Sequence, residues 1–67
     1  MKYRFEARTT EGVLNKTFKT REKANKFLDK YLESHNLEVQ DIINVNDNIH
    51  NIEYICNDYN RFLISRI

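Results

Sequence analysis

The chain has no proline, no tryptophan, one glycine, one cysteine and two histidines, and each scarcity removes a class of chemistry. A single thiol, Cys56, leaves no internal disulfide and no multi-cysteine zinc pattern. A single glycine, Gly12, cannot build a phosphate-cradling loop, which needs several. No run approaches the roughly 18 apolar residues of a membrane span, and Lys2-Tyr3-Arg4 leads into alternating charge, unlike the apolar stretch of a signal peptide. These features place the protein in the cytoplasm, away from membranes. The abundance of Asn, Ile, Lys and Tyr, with Pro and Trp missing, is what AT-rich codons produce and says nothing of activity.

Catalytic and metal-binding groups are equally sparse. His35 has a structural role as a cation at a helix end, and neither it nor His50 has a visible orienting partner. Cys56 lies on the core-facing parity of its strand, where a thiol acts as a small hydrophobe. The stretch Asn44-Val45-Asn46-Asp47-Asn48 begins like a calcium loop. It lacks the glycine at the sixth position, however, and Ile55 stands where the bidentate glutamate belongs. The sequence therefore predicts a non-enzyme with no cofactor and no metal.

What is present is a globular composition: 67 residues, 40% hydrophobic and 31% charged, enough for one small domain over residues 1–67. A chain of about 60 residues buries only about 60% of its unfolded surface, so self-association is a natural source of extra stability. The net charge of +1 conceals an asymmetry: residues 1–35 sum to +4 and residues 36–67 to −3. Such a chain can bind an anionic partner through its first half or pair with a copy of itself.

The pattern predicts an α+β fold in the order ββαβββ, a twisted and mainly antiparallel sheet with one helix packed on one face. Residues 2–8 alternate strictly, with Tyr3, Phe5 and Ala7 on one face. A turn at Thr9-Thr10-Glu11-Gly12 aligns Leu14, Lys16 and Phe18 with them, the Lys16 stem lying along the rim. Thr20 caps a helix from Arg21, and Ala24, Phe27, Leu28, Tyr31 and Leu32 form its apolar stripe. His35 and Asn36 close it, with Leu37 folding back. Residues 38–46 read as a third strand, with Val39, Ile43 and Val45 toward the helix and Ile42 away. A terminal hairpin follows over about 50–57 and 61–67. A three-residue loop, Asp58-Tyr59-Asn60 with Asn60 left-handed, opposes Cys56 to Phe62 and Tyr54 to Ile64.

On that register Ile55 faces Leu63, with Ile67 beyond and Ile42 and Val13 nearby, an apolar stripe on the sheet face away from the helix. Three such aliphatics offer about 5–9 kcal/mol on burial. Association costs about 4–15 kcal/mol, so two stripes meeting across a two-fold axis are favoured over one stripe against an indifferent surface. The sequence thus predicts a small binding protein acting through protein–protein contacts, including a homo-oligomer, with Ile42, Ile55, Leu63 and Ile67 as the interface. The competing reading is weak nucleic-acid binding by Lys2, Arg4, Arg8 and Lys19, the basic face of the first hairpin. That face carries no aromatic ring for stacking, and the pI of 7.9 is modest.

Overall fold

The computed structural model describes residues 2–67. Strands β1 (Tyr3–Thr9) and β2 (Gly12–Phe18) form a hairpin, and α1 (Arg21–Ser34) follows. β3 (Asp41–Asn44) leads through a one-turn 3-10 segment to β4 (Asn51–Asn57) and β5 (Asn60–Arg66). All pairings are antiparallel, in one five-stranded sheet of order β2-β1-β5-β4-β3, so the first and last strands lie side by side at its centre. The small α+β domain in the order ββαβββ is what the sequence predicts.

The first hairpin forms as its chemistry dictates. Thr9 pairs with Gly12 across a two-residue loop, Gly12 sits at φ 122°, and Thr9 Oγ1 accepts from the Glu11 amide at 3.1 Å. Tyr3, Phe5 and Ala7 then oppose Phe18, Lys16 and Leu14. Lys16 lies on the helix side with its ammonium 4.6 Å above the Phe27 ring, which resolves how a charge is tolerated there.

The helix is closed at both ends by its own sequence. Thr20 Oγ1 accepts from the Lys23 amide at 3.2 Å. At the other end Asn36 is left-handed, φ 53°, and two amides turn back: Asn36 N–H to the Glu33 carbonyl at 3.3 Å and Leu37 N–H to the Leu32 carbonyl at 2.9 Å. This is the Schellman arrangement, and Leu37 packs against the core beside it.

The core sits between α1 and the centre of the sheet. Phe5, Phe62 and Ile64 are fully buried, joined by Ala7, Ala24, Leu28 and Cys56. Phe5 stacks on Phe62 with ring centroids 6.1 Å apart and takes Phe27 edge-on at 5.1 Å.

The second half departs from expectation in two places. β3 covers only Asp41–Asn44, because residues 37–40 run outside the ladder and Val45–Asp47 turn with Asn46 and Asp47 both at φ 56°. The strict alternation therefore does not run from Val39 to Ile42. Ile42 pairs with Tyr54, which faces the helix and donates to Asn25 Oδ1, while Ile43 pairs with Glu53 on the opposite face. The expected orientations of Ile42 and Ile43 are thus exchanged.

The terminal hairpin closes with Asn57 opposite Asn60 across a two-residue loop, Asp58-Tyr59, and a bulge between Ile55 and Asn57 accommodates Cys56. Asn57 Oδ1 accepts from both the Tyr59 amide and the Asn60 side chain, at 2.8 and 3.1 Å. Asn60 is not left-handed. Tyr54 therefore opposes Phe62 and Ile52 opposes Ile64, two residues from the expected register. A shift of two keeps every side chain on its predicted face and changes only its neighbours.

Removing a fully buried ring should cost most: Phe62→Ala is expected to lower stability by about 3–5 kcal/mol, enough to unfold a domain of this size. Phe27, half-buried at the rim, should cost about 1–2 kcal/mol when truncated. Lys26→Ala removes only an exposed pairing with Glu22 at 3.5 Å and should stay within about 0.5 kcal/mol. Urea melts of the three variants test the order; equal midpoints for Phe62→Ala and Lys26→Ala would place the core elsewhere.

Candidate functional site

One helix covers one face of the sheet, and the other face is the larger surface left for function. Its side chains fall into rows set by the register. One row reads Asn15, Glu6, Leu63, Glu53, Ile43 from β2 to β3. The next reads Val13, Arg8, Arg61, Ile55, Asp41. Beyond the first, Thr17, Arg4, Ser65 and Asn51 form a third. Acids and arginines thus occupy adjacent rows, with aliphatics among them.

A shallow depression of about 200 Å³ lies where the first two rows meet, lined by Glu6, Arg8, Val45, Glu53, Arg61 and Leu63. Val45 therefore reaches over this face, opposite to its expected side. Arg8 Nε lies 3.5 Å from Glu6 Oε1. Among the described residues Glu53 and Arg61 have no ion-pair partner, although they stand on neighbouring strands. Arg8 and Arg61 are directly opposite each other, a like-charged cross-strand pair that is unfavourable in isolation. Ser65 is buried on this face with its hydroxyl unpartnered.

The predicted interface residues are only partly brought together. Leu63 and Ile55 share the face as diagonal neighbours, both half-buried, but Leu63 is flanked by Glu6 and Glu53, and Ile55 by Arg61 and Asp41. Ile67 follows β5 on the Leu63 parity, 59% exposed, its amide bonded to the Lys2 carbonyl. Ile42 does not belong: it lies on the helix side of edge strand β3. The continuous stripe is replaced by a mixed surface, and its charged members, Glu6, Glu53, Arg8 and Arg61, emerge only from the cross-strand register.

The predicted phosphate-binding set is likewise divided. Arg4 and Arg8 lie on the open face with Glu6 between them in sequence, and Arg8 is engaged by it. Lys2 and Lys19 flank the paired segment of β1 and β2, outside it. Tyr59, 73% exposed, lies in the β4–β5 loop, near the turn end of the first hairpin and away from Lys2 and Lys19.

The titratable candidates are spread over the molecule. His35 stacks on Tyr31 with centroids 4.0 Å apart, its Nδ1 2.9 Å from the Tyr31 carbonyl and its Nε2 3.5 Å from Glu11. His50 is half-buried in the segment before β4 and accepts at its carbonyl from the Arg66 amide. No three His, Cys, Asp or Glu side chains converge as metal ligands among the described residues. Among the described residues no helix is long and apolar enough to cross a membrane. Comparison with known protein families, curated proteins and solved structures finds no match to this chain.

Cys56 is 7% exposed, and burial pushes its thiol above the usual value. Folding therefore favours the neutral thiol: that stabilisation is intact below the pKa of the unfolded thiol and is lost as pH rises through the folded value. At mildly alkaline pH a disulfide reagent should modify native Cys56 on the order of 100-fold more slowly than the unfolded chain. Equal rates would show the thiol to be open to solvent.

Proposed function

We propose that this is a non-enzymatic binding protein that works by pairing its open sheet face with the same face of a second copy, in the cytosol, where a lone unpaired thiol such as Cys56 is at home. The observation that carries the reading is the unpaired Glu53 and Arg61 in adjacent rows around Leu63.

Two-fold symmetry selects the geometry. With the axis running along the strands, the acid row would meet itself and place Glu6 against Glu53. With the axis across the strands, between the two rows, the acid row of one protomer meets the arginine row of the other. Glu6 then lies over the partner copy's Arg8, while Glu53 lies over its Ile55, one strand away from its Arg61 and within reach of that long side chain. The same patch serves both copies, as an isologous contact requires. It also relieves the Arg8–Arg61 juxtaposition within each protomer.

Size and energy set the strength. Five strands of up to seven residues present roughly 500 Å² per protomer, or roughly 1,000 Å² in the pair, at the small end for a specific interface. Leu63 and Ile55 are already half-buried, so each adds only about 1–1.5 kcal/mol on pairing. Against an association cost of about 4–15 kcal/mol, the dimer is weak and its charges set register more than affinity.

Sedimentation across concentration should show a reversible dimer with Kd on the order of 10–100 μM. Leu63→Lys, whose ammonium would sit between Glu6 and Glu53, should give a folded monomer. Glu53→Arg and Arg61→Glu should each weaken pairing about tenfold, and the two together should restore it. A parent protein that stays monomeric at about 1 mM, or a double variant no better than its parents, refutes the pairing.

A further inference from the structure

A second surface lies on the opposite side of the molecule, where the edge strand β2 meets α1. Phe18 and Phe27 stand with ring centroids 5.5 Å apart at 45°, both half-buried, among the residues lining a broad, open cleft of about 530 Å³. Lys23, Lys26, Asp29 and Lys30 line it, all exposed, and Lys16 adds its ammonium above the Phe27 ring. Lys26 is shared with Glu22 at 3.5 Å, whereas Lys23 and Lys30 form no ion pair among the described residues. Four ammonium groups thus surround two rings, with one carboxylate in the lining.

We propose that this cleft binds single-stranded nucleic acid, an unpaired base packing on Phe18 beside the Phe27 ring that Lys16 covers, while phosphates run along the lysines. Aromatic lining and cationic rim together are what a sequence-tolerant single-strand site needs, rings for the base faces and ammonium groups for the backbone. At 1.5 Å per residue, Lys23 to Lys30 spans about 10 Å of helix, which matches about three phosphate-to-phosphate steps at a stacked spacing of ~3.4 Å. The open rim argues against a small free ligand, whose site would enclose most of its surface. A duplex keeps its bases stacked inside and has no use for the rings. The basic residues of the open face, Arg4 and Arg8, take no part.

Fluorescence anisotropy with a labelled oligothymidylate of about 12 nucleotides, at about 50 mM salt, tests the site. The parent should bind, with a logarithmic salt slope of about −2 to −3. Lys23→Glu with Lys30→Glu should weaken binding at least tenfold and flatten that slope by about 1.4, the share of two phosphates at about 0.7 each. Phe18→Leu should weaken it about tenfold and leave the slope unchanged, because it removes stacking without removing charge. Lys2→Glu with Arg4→Glu should bind as the parent does, and circular dichroism should confirm that each variant is folded. The proposal is overturned by no binding at low salt, by duplex binding as tight as single strand, by equal loss from the Lys2 and Arg4 changes, or by binding to vesicles of anionic lipid without binding to the oligonucleotide.

Discussion

The structure depends on the pairing of β1 with β5. Phe5 opposite Ile64 and Ala7 opposite Phe62 place four buried side chains on the two central strands, directly under the helix. Each hairpin alone is marginal in water, and joining them through these strands gives a sheet wide enough to cover a core. The contact joins residues nearly a full chain length apart, so its loop-closure entropy must be met before the hydrophobic gain arrives. Once it forms, β2 and β3 are necessarily the edges, and α1 has one face to cover.

In both hairpins the faces were legible in the sequence; in the second the neighbours were not. The first hairpin and the helix carry local signals at every level: an alternating strand, a glycine where positive φ is needed, a threonine cap, and an Asn-Leu pair at the helix end. In the last hairpin the period of two correctly assigns Phe62 and Ile64 to the core and Leu63 and Ile55 to the open face. That period is blind to a shift of two residues, and the two-residue loop and the bulge at Cys56 supplied one each. The row of Glu6, Leu63 and Glu53 could not be foreseen for a further reason: it requires the strand order, which no local pattern encodes. Ile42 was misassigned because residues 37–40 leave the ladder, and alternation carries no information across a break.

The new register changes what the open face can do. A continuous aliphatic stripe would associate with little regard for orientation, whereas alternating rows of acids and arginines penalise most placements of a second copy. The half-buried state of Leu63 and Ile55 leaves less apolar area on this face for any partner to cover. The edges add a different constraint. β3 is short, with four residues, but β2 offers seven and is exposed along nearly all of its length. Lys16 and Lys19 near its end, and the lysines of the adjoining helix, oppose edge-to-edge pairing between identical copies.

The charge asymmetry along the chain finds its physical place in this topology. Because β1 lies against β5, the arginines of the basic first half meet the acids of the second half on one open face, where Glu53 of β4 shares a row with Glu6. Much of the remaining positive charge of the first half sits where the second half does not reach, on β2 and the outer side of α1. The same strand order therefore mixes charge on one side of the sheet and leaves it concentrated on the other. A mixed surface suits a partner of its own kind, and a lysine-rimmed aromatic cleft suits a polyanion; both properties follow from where the sheet places β1.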